Sequence, residues 1–398
     1  YHVNDLTFGP LYFIPKPVDP RLITEVSAAV AKAAIESGVA RDNITDWDKY
    51  KQNLRQMLGQ ETKFTRFIHA TAAEHPQRVV FAEGEHNTMM KAAVQAKTEG
   101  ICHPILLGNP DRLKRMASRL KLDLTGIDLI DMRADQEQRR RATYAKHLAE
   151  KRARDGYTFQ EAYDKMYERN YFGMMMVETG DADAFITGLY TKYSNTIKVA
   201  KDVIGIREEN STFGTMHIIN SPKGILYLAD TLVNSDPNTD DLVDIANLAA
   251  RTVSFFNETP NIAMISYSNF GSDTAPGSLK VKNAVKTLHE NNPDICIDGE
   301  MQIGYALNKE LRDQKYPFSK LAGKEVNTLV FPNLTSARSA FKLLQMLSND
   351  VEVIGPIQMG LNKPIHFTDS ECSVRDVVNI TAIAVIDAYV EKIKQREK

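Results

Sequence analysis

From Arg78 onward the chain alternates short apolar runs with longer amphipathic stretches, and that rhythm limits the fold more than any other feature. RVVFAEG is followed by a helical pattern ending near Glu99, then HPILLG, a helix over Asp111 to Leu120, and IDLIDM. Apolar runs of about four to eight residues separated by helices read as βαβ units, hence a largely parallel sheet covered by helices. One or two charged helices are expected between Gln136 and Tyr171, with Gly156 ending the first. A second series follows: DAFITGLY, GTMHIINS, KGILYLAD, NIAMISYS, DICIDGEM, NTLVFPN and VEVIGPI, with a last helix from Ser373. The expected fold class is α/β: two α/β domains with mainly parallel sheets and a cleft between them, preceded by a helical connector. Ligands of such folds sit at the carboxyl ends of the strands.

The residues before this rhythm behave differently. Prolines at 10, 15, 17 and 20 preclude a regular helix, after which LITEVSAAVAKAAIESGVA carries apolar residues at helical spacing. The following DNITDWDKYKQNLRQMLGQETKF reads as the connector, with Asp42 or Thr45 as caps. The chain opens at Tyr1 without methionine or signal peptide, and its first residues read as the middle of something longer.

Composition excludes several classes of function. A chain of 398 residues with 43% apolar content has ample material for packed cores and two or three domains. Its longest apolar runs, such as Ile380 to Val385, fall short of the roughly 18 to 20 residues a membrane helix needs. Forty-nine basic residues against 51 acidic ones leave no overall field to attract nucleic acid or an anionic membrane. Small molecules and proteins are the expected partners. Cys102, Cys296 and Cys372 form no CxxC pair, which fits a reducing cytoplasm rather than a disulfide framework. No HExxH or similar spacing appears, so no metal site is expected here.

Individual motifs are weak when taken singly. Gly271, Ser272 and Gly277 after a strand could cradle phosphate with backbone N–H groups, although such loops are common. No complete GxGxxG or GxxxxGK[ST] is present. Glu83, Glu85 and His86 could supply acid–base chemistry at a strand end, but capping the next helix is the simpler account. The arginine run in QEQRRRA reads as a solvated helix face, and GMMMV from Gly173 as helix core.

Taken in order, the motifs form a pattern. AEGE (82–85), YFGMMMV (171–177), ITGLY (186–190), YLADTLVNSDPN (227–238), ISYSNFGS (265–272), IDGEMQ (297–302), VFPNL (330–334) and GPIQMGLNKP (355–364) together resemble phosphotransacetylases, over roughly residues 75–398. The opening FGPLYFIPKPVDPRLITEVSAAVAKAAIESGVA resembles the end of a malic-enzyme nucleotide-binding domain. That join is similar to multidomain NADP-dependent malic enzymes. The resemblance implies a malic-enzyme tail and linker over 1–60, one transferase-like subdomain from 61–204 with 359–398, and a second from 205–358.

What the resemblance implies about chemistry is mixed. Phosphotransacetylases move acetyl between acetyl phosphate and coenzyme A, using a carboxylate base and arginines that hold the anionic substrate. In the family motif Asp-Leu-Ser-Arg-Gly-Cys-Ser, followed by an acid three residues on, the acid corresponds to Asp376, while the Ser-Arg pair is replaced by Asp369 and Ser370. A second arginine corresponds to Lys198, which keeps charge but not the bidentate fork; a third corresponds to Arg152. In FPNLTSARSAFKLLQM, Lys342 is kept and Met346 stands in place of an arginine. Each lost oxyanion donor typically costs about a hundredfold to a thousandfold in rate, so the combined loss is roughly ten-thousandfold or more.

The resemblance therefore implies a catalytically silent region that senses acetyl-CoA as an allosteric inhibitor. Candidate contacts are Arg152, Lys198, Lys342, Asn362, Lys363, Ser370 and Asp376. It further implies a parent enzyme that converts malate to pyruvate with NADP and Mg2+ or Mn2+ bound elsewhere in the protein, and a homo-oligomer containing dimers of this region. Two alternatives stay open: an active phosphate acetyltransferase, and a purely structural oligomerisation domain.

Overall fold

The structure is a computed structural model that describes residues 22–40, 43, 44, 46, 47, 50, 63–190, 192–221, 223–347 and 351–396. The proline-rich opening, the caps expected at Asp42 and Thr45, and most of the expected connector lie outside the described residues. The chain forms two compact units, residues 1–66 and 67–398. In the first, a π-helical turn, Leu22–Val26, runs into α1 (Ser27–Glu36), where the apolar spacing predicts a helix.

Elements follow in the order α2 (Lys63–Glu74), β1 (Gln77–Phe81), α3 (Asn87–Thr98), β2 (Cys102–Leu107), α4 (Pro110–Leu120) and β3 (Asp128–Ile130). Next come α5 (Gln138–Lys151), α6 (Phe159–Lys165), α7 (Arg169–Glu178), β4 (Ala184–Thr187), α8 (Tyr193–Val203), β5 (Gly214–Ser221) and β6 (Gly224–Ala229). The remainder is α9 (Thr239–Phe255), β7 (Asn261–Ile265), α10 (Pro276–Asn291), β8 (Cys296–Met301), α11 (Ile303–Leu307), α12 (Lys309–Lys315), β9 (Thr328–Val330), α13 (Leu334–Leu347), β10 (Glu352–Met359), β11 (Ile365–Phe367) and α14 (Val374–Arg396).

The first sheet has the order β11-β4-β1-β2-β3 and is wholly parallel. Its central strands carry runs of buried residues because helices cover both faces: Val79, Val80 and Phe81 are buried, as is all of β4. Met174, Met175 and Met176 of α7 fill the core beside it, as expected of GMMMV. The arginine run behaves otherwise. Arg141 is buried, donating from Nη1 to the carbonyls of Met132 and Ala134 at 2.6 and 2.8 Å and lying over the Tyr167 ring. Unlike its exposed neighbour Arg139, it finds its hydrogen-bond acceptors inside the fold rather than in water. Gly156, at φ +83°, closes a short 3-10 turn beyond α5 rather than α5 itself.

The second sheet has the order β10-β5-β6-β9-β7-β8. Three of its pairings are parallel, but β5 runs antiparallel to both β6 and β10. Two residues separate β5 from β6, and so short a link permits only a hairpin; a parallel return needs a crossover of about a dozen residues. Strand β11, three residues long and absent from the sequence reading, completes the first sheet beside β4.

Helix α14 joins the two sheets. Every residue from Val377 to Val385 is buried, the polar Asn379 and Thr381 among them, so this mostly apolar stretch is enclosed on every side. It packs on α3, β1 and β4 and also on β10 of the second sheet. Its far end is tied down by Lys392, whose Nζ donates to Gln77 Oε1 at 2.6 Å and pairs with Asp183 at 2.9 Å.

Candidate functional site

Two loops leave the carboxyl ends of the parallel neighbours β4 and β11. They touch backbone to backbone: Thr368 N–H donates to Thr187 O at 2.7 Å, and a Cβ on Gly188 would lie 2.3 Å from Thr368 O. With φ at +135°, position 188 admits only glycine. Glu83, fully buried at the end of β1, holds the first loop. Its Oε2 accepts the N–H groups of Gly188 and Leu189, and its Oε1 that of Tyr190, each at 2.9 Å. Glu83 is thus neither an acid–base group nor a helix cap; its lone pairs are committed to the loop. The capping role falls to His86, which accepts from Thr88 N, while Glu85 accepts the N–H of Asn109 at 2.9 Å.

The facing wall comes from the second sheet. His217 of β5 is buried, stacks on Phe341 of α13 at 4.1 Å between ring centroids, and shares a 2.8 Å hydrogen bond with Thr231 Oγ1. Beside it, Asp230 is buried and accepts from Thr215 N and Oγ1 and from Asn234 N and Nδ2, which fixes the LADTLVN loop. Arg338 and Lys342 lie four residues apart on α13 and so share one face of that helix. Burial, reinforced by the charges of Arg338 and Lys342 and opposed by Asp369, pushes His217 down to about 3, leaving a neutral ring. Asp369 stands on the β11 loop, so the two walls lie within electrostatic reach of each other.

The residues singled out from sequence fall into two groups. Asp369, Ser370, Cys372 and Asp376 share the loop and first helical turn after β11. Ser370 Oγ donates to Asp369 Oδ1 at 3.3 Å. Asp376 Oδ2 accepts both the N–H and the Oγ–H of Ser373 at 2.8 Å, while Ser373 Oγ accepts Asp376 N–H at 3.2 Å, a capping box at the start of α14. The Cys372 thiol is pushed up to about 12, by burial first and then by Asp376, so it stays protonated. Lys342 belongs with this group: its charge acts on both Cys372 and His217, while its Nζ donates to Gln345 Oε1 at 2.9 Å.

Arg152 and Asn362 lie elsewhere, at the carboxyl end of α8. Arg152 donates to the carbonyls of Asp202, at 2.7 Å, and Lys201; Asn362 Nδ2 donates to those of Ile204 and Ile206. A cation on the last carbonyls of a helix complements the helix dipole, so Arg152 has a structural task there. Lys363 precedes β11 at the end away from Asp369. Lys198 is exposed in the middle of α8 and makes no hydrogen bond or ion pair among the described residues. Met346 is exposed near the end of α13.

Arg338 was not singled out in the sequence reading. It makes no hydrogen bond or ion pair among the described residues, yet its charge reaches both His217 and the buried Tyr193 phenol. The i, i+4 spacing to Lys342 is the signal that could have found it. The loop after β7, read as a phosphate cradle, is already occupied from within: Gly271 N–H donates to the buried Glu300 Oε1 at 2.5 Å, and Ser268 and Ser278 bond to each other beside it. Chemically, the site sets two cations and a neutral imidazole on one wall against two carboxylates and a protonated thiol on the other.

Comparison with known proteins agrees with this architecture. The family described as "Phosphate acetyl/butaryl transferase" matches residues 63–385. The NADP-dependent malic enzyme of Escherichia coli K12 is 36% identical over 395 residues, 99% of this chain but 52% of that protein. The chain thus spans about half the length of the malic enzymes it matches. A phosphate acetyltransferase of Clostridium acetobutylicum is 32% identical over 80% of this chain and 96% of its own. Among solved structures, a phosphotransacetylase from Streptococcus pyogenes superposes with a TM-score of 0.76 at 28% identity, covering 82% of this chain and 98% of that one.

Proposed function

The chain belongs to the phosphate acetyl/butaryl transferase family, and from that premise we propose that it is the transferase-like, catalytically silent part of a longer NADP-dependent malic enzyme, where it binds acetyl-CoA as an inhibitor of malate oxidation. The observation that carries this reading is the pair Asp369 and Ser370, where the family pattern has Ser-Arg. Ser370 donates its hydroxyl to Asp369, so the position offers a transferring phosphate a carboxylate and no guanidinium fork. Arg338 and Lys342, on the opposite wall, support retention of an anionic ligand whose charge lies away from the reacting centre. A coenzyme A thioester fits that description: its diphosphate seeks cations and its pantetheine lies along a cleft.

In the parent protein the reaction is oxidative decarboxylation of malate to pyruvate, with NADP and Mg2+ or Mn2+ bound outside this chain. Inhibition requires acetyl-CoA to bind two arrangements of the assembly unequally. The exposed apolar residues Leu343, Met346 and Leu347 on α13 support assembly into a homo-oligomer.

One observation favours the alternative of an active phosphate acetyltransferase. Asp376 Oδ1 accepts no hydrogen bond among the described residues and is free to take a thiol proton. Two assays on the full-length protein separate the readings: acetyl transfer from acetyl phosphate to coenzyme A, and malate oxidation with acetyl-CoA titrated in. The silent reading expects transfer at least about a thousandfold below an ordinary turnover near 10 per second, together with loss of malate oxidation. Transfer at ordinary rates supports the alternative; no calorimetric heat with acetyl-CoA at about 1 mM supports a purely structural role.

A further inference from the structure

A second concave site lies at the other end of α14 from the cleft, bounded by α9, the turn between β10 and β11, and the last turns of α14. Its volume is about 130 Å3, and its walls include Leu248, Phe255, Leu361 and Ile383. Asp387 and Lys394 lie on its rim, 11 and 18 residues beyond Asp376, which at 1.5 Å per residue is about 16 and 27 Å along the helix. It shares no side chain with the cleft described above.

Four cations, Arg207, Arg251, Lys363 and Lys394, face this space with one carboxylate, Asp387. The two arginines are already paired: Arg207 with Glu391 at 3.3 Å, and Arg251 with Glu209 at 3.2 Å. Lys363 and Lys394 make no hydrogen bond or ion pair among the described residues. His366 stands in the wall, 1% exposed. Its Nδ1 accepts the backbone N–H of Gln358 at 3.4 Å, which puts the proton of the neutral ring on Nε2. That Nε2–H finds no hydrogen-bond acceptor among the described residues; the nearest carboxylate oxygen, Asp387 Oδ2, is 3.6 Å away. A buried donor without a partner costs about 1 to 3 kcal/mol, so an acceptor entering the cavity is favoured there.

From these observations we infer that the cavity is a binding site for a small dianionic organic acid. The two unpaired ammonium groups outnumber the one carboxylate, Asp387, so the space favours an anion, and standing on separate segments they can each hold one carboxylate of a diacid. The orphaned imidazole N–H supplies a directed donor to one ligand oxygen, and the apolar wall takes a short carbon chain. At ~30 Å3 per water molecule the cavity has room for about four waters, or for a compact acid of about eight non-hydrogen atoms. A coenzyme A thioester is several times too large. The inference therefore stands apart from the acetyl-CoA reading and survives its failure.

The test is isothermal titration of the full-length protein with succinate, butyrate and inorganic phosphate as separate probes. Succinate is expected to bind with millimolar or tighter affinity, and butyrate at least about tenfold more weakly. Lys363→Met and Lys394→Met, both at the surface, should each weaken succinate by about tenfold or more, while Lys342→Met in the cleft leaves it unchanged. Three outcomes overturn the inference: no heat with succinate at about 10 mM, unaltered affinity in both Lys363→Met and Lys394→Met, or phosphate binding as tightly as succinate, which makes the cavity an unspecific anion trap.

Discussion

A single oxygen of Asp376 receives two hydrogen bonds from Ser373, one from its backbone N–H and one from its hydroxyl, both at 2.8 Å. The carboxylate that family resemblance marks as a base is therefore also the acceptor that starts α14. Asp376→Ala removes the half of the capping box that the carboxylate supplies and is expected to lower stability by about 1 kcal/mol; Ser373→Ala, which removes the hydroxyl half, should cost a similar amount. Urea denaturation of the two variants and their double checks it: because each destroys one shared box, the double should cost less than the sum.

Restoring the family pattern should restore anion binding only when both positions change. In Ser370→Arg alone the new guanidinium pairs with the adjacent Asp369 carboxylate. Asp369→Ser with Ser370→Arg leaves it free, and phosphate affinity is expected to rise by about tenfold or more over the single variant. Phosphate titration calorimetry measures this directly, and equal affinities for single and double variants would refute it.

His217 makes stability depend on acid. Its folded-state value is held near 3 by burial, whereas an unfolded histidine titrates at about 6.5. The unfolded chain therefore binds the proton first, so the contribution is complete above about pH 6.5 and is lost as pH falls toward 3. The loss is about 1.4 kcal/mol per pH unit within that window. Denaturant midpoints measured between pH 4.5 and 7 should show this slope, and His217→Asn should flatten it.

Cys372 should be a poor nucleophile despite standing in the candidate site. With the thiol near 12, its thiolate fraction at pH 8 lies on the order of a thousandfold below that of a free cysteine. Timed alkylation read by peptide mass spectrometry is expected to leave Cys372 intact while a small free thiol in the same tube is consumed.

Glu83→Gln replaces two acceptor oxygens with one. At least one of the N–H groups of Gly188, Leu189 and Tyr190 then loses its partner and a buried NH2 gains none, at a cost of about 2 to 4 kcal/mol. Because the loop these residues form abuts Thr368 at the cleft, acetyl-CoA affinity should weaken with it. Thermal melting and ligand titration on the same preparation read the two effects separately.

Much of this fold is written in local pattern, and what is missing is non-local. The apolar runs of β1, β2 and β4 announce buried parallel strands because helices cover both faces. The three residues of β11 carry no such signal: they pair with β4, about 180 residues earlier, and only that partner makes them a strand. Antiparallel β5 was legible in principle, since its two-residue link to β6 forbids any crossover. In the site, the helical spacing of Arg338 and Lys342 was readable, whereas the use of Arg152 on the end of α8 was not, because nothing near Arg152 specifies the carbonyls it meets. The same holds for Lys363 and Lys394, which face one cavity from distant segments.

The first sheet is also the last to be finished. Its opening strand is Gln77–Phe81, but its edge is β11, its cover is α14, and Lys392 fastens to Gln77 across 315 residues. The second sheet has all its strands by Met359, with α14 adding only a cover on β10. During synthesis the later-encoded sheet can therefore pair its strands while the earlier one still waits, its β4 edge open, for β11 and α14 to emerge.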